Sequence, residues 1–175
     1  MYDNINVALL GGDRRQIYTA AYLAAAGYTV NVCGISRERI CEHKLESESK
    51  KEYLDKLICK DNMPDAVCNA SIIILPVPAS GDGVRVNAPL DDEGALSDVK
   101  LVSVVKTAPE GSVIIGGKIP SAIVSAAEER GIKTHDILEL EPFEIANAYT
   151  TAEAALSIAM NSLMVNVSES RIAVT

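Results

Sequence analysis

Residues 5–16 read INVALLGGDRRQ: a buried strand, a glycine turn, and the first turn of a helix. Val7, Ala8, Leu9 and Leu10 form an unbroken apolar run, the pattern of a parallel strand covered on both faces. Gly11 and Gly12 let the backbone turn sharply and come close to whatever binds there. Asp13 is placed to cap a helix over residues 14–26. A helix start after a glycine turn presents unpaired N–H groups and the positive end of the dipole. Arg14 and Arg15 sit in that first turn, where the dipole disfavours cations. Spacing alone leaves two readings open for them: solvated charges, or part of an anion site.

The pattern repeats outward from this stretch. Ile17, Ala20, Ala21, Leu23 and Ala24 make an apolar helix stripe, and Gly27 is the residue expected to end it. Residues 29–35, TVNVCGI, form a second strand. A dinucleotide fold carries an acidic residue for the ribose hydroxyls after this strand. Gly34, Ile35, Ser36 and Arg37 stand there instead, and the first turn lacks G-x-G-x-x-G. No nucleotide cofactor is expected in this chain. Residues 36–63 are the most polar part, with Tyr53, Leu54, Leu57 and Ile58 spaced as a helical stripe and residues 47–51 read as solvated. Residues 71–75, SIIIL, predict a central strand that ends in Pro76, Val77, Pro78 and a glycine-bearing loop. Ser97 or Asp98 can cap a helix carrying Val99, Val102 and Val105. Residues 113–115 are a fourth strand before Gly116 and Gly117, Pro120 opens a helix that stops at Gly131, and residues 132–138 are a weaker fifth strand.

This β-α alternation predicts a three-layer, doubly wound α/β domain. The expected parallel sheet has about five strands in the flavodoxin-like order 2-1-3-4-5. Ligands of such sheets bind where the strand order reverses, at the carboxyl ends of the strands. Residues 11–16, 76–81 and 116–118 gather at that edge.

The chain has 175 residues, enough for one core, and 48% of them are hydrophobic, with one Phe and no Trp. A net charge of -8 argues against general binding to nucleic acid or to acidic membranes. The first residues, MYDN, lack the features of a signal peptide, and no apolar run approaches a membrane span. Cys33, Cys41, Cys59 and Cys68, with His43 and His135, show no metal-ligand spacing and read as reduced thiols of a cytoplasmic protein. Two Asn-x-Ser sequons, at Asn69 and Asn166, carry no meaning in that compartment.

Residues 141–148 read as a short helix or turn. Thr150 and Glu153 then fit a capping box opening a helix with Ala155, Leu156, Ala159, Met160 and Leu163 on one face. Residues 170–175, SRIAVT, read as the start of a strand, giving a division into residues 1–150 and an interdomain helix with a first strand over 151–175.

Three motifs carry a family resemblance. Gly11-Gly12-Asp13-Arg14-Arg15-Gln16 resembles the G-G-D-x-R-Q turn of the dipicolinate synthase A subunit. Ile73, Leu75, Pro76 and Val77 are similar to its I-L-P-V strand end, and Glu139, Asn147, Thr151 and Glu153 to its E…N-S-I-P-T-x-E-G segment. Thr150 stands where the family has proline, Ala154 where it has glycine, and residues 36–63 are longer than the family's corresponding segment. The resemblance implies a two-domain layout like that of the D-2-hydroxyacid dehydrogenases, with NAD or NADP in a second, Rossmann domain of the full-length protein. It implies a small dicarboxylate substrate in the cleft, and a partner B subunit in forming dipicolinate during sporulation. It points to Gly11, Gly12, Asp13, Arg15, Pro76, Asn147, Thr151 and Glu153 as substrate-facing, with this chain alone inactive. A homodimer through the last helix is a further expectation. The alternative is a stand-alone flavodoxin-like binding or interaction domain without catalysis.

Overall fold

The run at residues 7–10 becomes β1 (Asn6–Leu10), and its four apolar side chains are at most 1% exposed. Successive side chains leave a strand on opposite faces. Val7 and Leu9 therefore pack with Ile17, Ala20, Ala21 and Ala24 of α1 (Arg14–Ala25). Ala8 and Leu10 pack on the other side with Ala66 and Val67 of α3 (Met63–Val67), and with Leu101 and Val104 of α4 (Leu101–Thr107). The other helices are α2 (Arg37–Glu42), packed on the α1 side through Ile40, and α5 (Ser121–Glu128), packed on the α4 side through Ile123 and Ala127. The three layers expected from the sequence are present. The structure is a computed structural model describing residues 5–42, 52–162 and 171.

The remaining strands are β2 (Thr29–Cys33), β3 (Leu57–Cys59), β4 (Ile72–Ile74), β5 (Val113–Gly116) and β6 (Lys133–Asp136). All pair in parallel, in the order β3-β2-β1-β4-β5-β6. The five expected strands keep their expected arrangement. The sixth, β3, adds to the outer edge of β2, where a helical stripe was expected. Residues 52–56 form only a short 3-10 turn before it. Leu57 is buried and Ile58 is exposed, which is the alternation of an edge strand, but three residues are too few to show a period.

Local signals set most of the boundaries. Asp13 caps α1 by accepting the Arg15 N–H at 2.9 Å. After α1, Gly27 (φ +100°) donates to Ala24 O at 3.0 Å and Tyr28 to Leu23 O at 3.1 Å, closing a Schellman motif. Neither Ser97 nor Asp98 caps α4. The helix starts at Leu101, whose N–H donates to Val84 O at 2.9 Å, so a loop carbonyl serves there in place of a side chain.

The chain divides into two compact units, Met1–Ile137 and Leu138–Thr175. The second is built on α6 (Glu141–Ser162), one unbroken helix. Thr150 lies inside it, and its Oγ1 donates to Ala146 O at 3.3 Å. The expected capping box is therefore absent, because the backbone N–H groups of residues 150–153 already belong to a running helix. Leu163 and the expected strand at residues 170–175 fall outside the described residues except for Arg171.

Leu9 is fully buried in β1, one of the two central strands of the sheet. Leu9→Ala is expected to lower unfolding stability by about 2–5 kcal/mol, measured by urea denaturation with unchanged far-UV circular dichroism at zero denaturant.

Candidate functional site

The strand order reverses between β1 and β4. The chain crowds this point from three directions. Gly11 (φ +56°) donates to Cys33 O at 2.9 Å, and Gly12 (φ +90°) donates to Asn87 O at 2.8 Å. A Cβ on Gly11 would lie 2.8 Å from Asn87 O; one on Gly12 would lie 2.2 Å from Gln16 Cγ and 3.2 Å from Pro76 Cβ. Only glycine fits either position. This turn departs from the G-x-G-x-x-G form of a dinucleotide site.

Arg15 reaches back over this turn. Its Nε donates to both Asp13 carboxylate oxygens, at 3.0 and 3.2 Å, and its Nη2 donates to Asp13 Oδ2 at 2.8 Å. Nη2 also donates to Val77 O at 2.5 Å, tying α1 to the segment after β4. The two-pronged grip of the guanidinium is thus made to Asp13, and Nη1 has no hydrogen-bond partner among the described residues. The guanidinium holds the Asp13 carboxyl below its ordinary value, and the carboxylate raises Arg15 in return. Of the helix-start donors, Gly12 N–H goes to Asn87 O, Arg15 N–H to Asp13 Oδ1 and Gln16 N–H to Asp13 O at 3.0 Å. Arg14 N–H meets no such partner among the described residues.

The third wall comes from β5. Gly117 donates to Pro76 O at 3.3 Å and accepts from Ala79 N–H at 2.6 Å. A Cβ on Gly117 would lie 2.7 Å from Val77 Cγ1. Lys118 follows with φ +51°, a left-handed conformation uncommon for a side-chain-bearing residue, and its side chain is exposed. The loop after Pro78 is held by Asp82, which accepts from Arg85 N–H at 2.7 Å, Val84 N–H at 2.8 Å and Ser80 Oγ at 3.0 Å. Those donors, the Arg85 N–H first, hold its carboxyl well below the usual carboxylate range.

Gly11, Gly12, Asp13, Arg15 and Pro76 thus meet at one edge, as expected. Asn147, Thr151 and Glu153 belong to the second unit. Asn147 and Thr151 stand one turn apart on α6, with Thr151 Oγ1 donating to Asn147 O at 2.7 Å, and both line a groove with Phe143 and Leu156. Glu153 is exposed and does not line that groove. Sequence reasoning named Gln16 in the turn motif without giving it a role, although it is buried at the turn, and missed a hollow of about 340 Å³ after β2 and β3. Two carboxylates of that hollow are already engaged: Asp92 pairs with Arg39 at 2.5 Å, and Asp91 accepts from Ala95 and Leu96 N–H at 3.0 and 2.6 Å. Cys59 also lines it, and burial raises that thiol's pKa; burial pushes Cys33, deeper in the sheet, up to about 12. Among the described residues no cluster of His, Cys, Asp or Glu could hold a metal ion, and no helix is long and apolar enough to cross a membrane.

Two outcomes follow from this geometry. Calorimetry of residues 1–175 with NAD or NADP is expected to show no low-micromolar binding. Asp13→Asn keeps a capping oxygen but loses the charge, so at pH 7 it should cost less than about 1 kcal/mol, an amount reduced further by salt. The Asp13 pKa lies below the ordinary 3.8, so the pair's contribution is complete above that value and disappears as pH falls through the lowered one. Urea denaturation at pH 7 and pH 3 should show wild type and Asp13→Asn converging in acid.

The family model for the N-terminal domain of the dipicolinate synthase A subunit matches residues 6–138. Among solved structures, the A chain of dipicolinate synthase from Bacillus subtilis is 20% identical, with a TM-score of 0.71, over 95% of this chain and 51% of that one. The dipicolinate synthase A subunit from Bacillus halodurans is 16% identical, with a TM-score of 0.68, over 95% and 52%. A diketoreductase acting on dicarbonyl compounds is 17% identical, with a TM-score of 0.52, over 78% and 50%. At these identities the likeness is one of fold, and the chain spans about half the length of each of these structures. No curated protein matches the sequence. With its glycine turn, its switch point and the match over residues 6–138, this chain belongs to the family defined by the N-terminal domain of the dipicolinate synthase A subunit.

Proposed function

We propose that this chain supplies the substrate-side part of a dipicolinate synthase A subunit, an oxidoreductase. The full-length protein, together with a B subunit, would convert a dihydrodipicolinate-type cyclic dicarboxylate into dipicolinate during sporulation, in the cytoplasm. The observation that carries this reading is Arg15 at the β1–β4 switch point, which spans from Asp13 to Val77 O and whose Nη1 has no partner among the described residues. Gly11 and Gly12 form the turn beneath it and Pro76 its flank. One substrate carboxylate docks there, on Arg15 Nη1 and the Arg14 N–H. The family resemblance adds Asn147, Thr151 and Glu153 of the second unit as substrate-facing candidates. In the proposed domain division, residues 1–150 carry the substrate side, and residues 151–175 lead into the nucleotide-binding domain. NAD or NADP would belong to that second domain and accept the hydride of the aromatisation, since residues 11–16 lack G-x-G-x-x-G.

A charge-assisted bond to a carboxylate is worth on the order of 1.5–3 kcal/mol, or roughly ten- to a hundredfold in binding. Arg15→Ala and Asn147→Ala in the full-length protein with its B subunit should each lower dipicolinate formation, Arg15→Ala by that range in apparent affinity. Arg15→Lys should not restore it, since a point charge cannot span Asp13, Val77 O and a ligand together. An Arg15→Ala protein that folds normally and keeps its rate and substrate affinity would show the reading to be wrong.

A further inference from the structure

Gln16 is a polar side chain in an apolar place. It is 6% exposed, and its Nε2 has no hydrogen-bond partner among the described residues. It stands three residues after the cap Asp13, the position from which a glutamine ordinarily turns back to the cap's backbone. Instead its Cγ lies over Gly12, 2.2 Å from where a Cβ on that residue would be, with Pro76 Cβ 3.2 Å from the same point. The side chain is therefore wedged between the ends of β1 and β4, the two neighbours at which the strand order reverses. Leaving a buried amide donor unpaired costs stability, and such groups call for a reason. A methionine would fill the same space without that cost.

We propose that Gln16 is a ligand-binding residue: its Nε2 donates to a carboxylate oxygen of the dicarboxylate at the β1–β4 switch point, beside Arg14 N–H and Arg15 Nη1. This rests on the dicarboxylate reading given above and deepens it. An amide suits the position because it adds a donor without adding charge next to the Asp13–Arg15 pair. The last torsion of glutamine is broad and soft, so a small turn brings Nε2 to the ligand as it enters. The glycine at residue 12 then serves recognition as well as turning, since any side chain there would displace Gln16.

The test uses the protein expressed from its complete gene, with pyridine-2,6-dicarboxylate as the calorimetric probe and thermal melts without ligand. Gln16→Met keeps length and removes the donor. It should keep or raise Tm while weakening Kd about ten- to a hundredfold, a divergence that a purely structural glutamine would not produce. Gln16→Glu, which turns the donor into a charged acceptor, should weaken binding at least as much. If Gln16→Met does not fold, Gln16→Leu carries the same comparison. Wild-type binding that survives the loss of the amide unchanged overturns this role for Gln16 and leaves the dicarboxylate reading standing. Wild-type protein that does not bind the probe at millimolar concentration overturns both.

Discussion

Gly12 donates its N–H to Asn87 O at 2.8 Å, and that carbonyl lies 2.8 Å from where a Cβ on Gly11 would be. The β1–α1 turn and the loop after β4 therefore meet backbone to backbone, at a distance no side chain can enter. Much of the carboxyl edge depends on this contact. It fixes where α1 begins, and so where Asp13, Arg15 and Gln16 point. It anchors the loop through Asn87, whose N–H in turn donates to Ala79 O at 3.0 Å and whose side chain donates to Pro78 O at 3.2 Å. Arg15 then bridges the same two segments from above through Val77 O.

Much of the fold was legible in residue pattern because β1 is buried on both faces, so its apolar run needed no alternation to be recognised. The Asp13 cap and the Gly27 stop are local signals, and local structure obeys them. The misreadings came where a local signal was ambiguous or overruled. Leu54, Leu57 and Ile58 are spaced for a helix, but the open edge of β2 takes residues 57–59 as a strand. Thr150 and Glu153 have capping spacing, yet the helix had already begun at Glu141, where Pro142 in the first turn is itself a start signal.

The site was legible in outline for a similar reason. Glycines that end strands can be read from sequence; the partner that an arginine selects cannot. Arg15 sits two residues from the carboxylate that occupies it and 62 from the carbonyl that completes its shell. Only the first lay within reach of a local reading, which took Asp13 for a cap and a substrate-facing residue and did not pair it with Arg15. Gln16 stood only as the last residue of the G-G-D-x-R-Q turn, with no role of its own. A second signal was its spacing, three residues after a capping aspartate, the position from which a side chain turns back to the cap.

The place of β1 in the sheet has a consequence for how the chain is made. Its first neighbour, β2, follows one helix later, but its other edge waits for β4 at residues 72–74. Roughly sixty residues separate the two, so at about 5–20 residues per second the ribosome leaves that edge unpaired for about 3–12 s. During this interval a strand buried on both faces in the folded domain presents an open row of backbone donors and acceptors. The nascent chain is thus most prone to aggregation between the completion of α1 and the emergence of β4, and its yield in the cell depends on what shields β1 in that window.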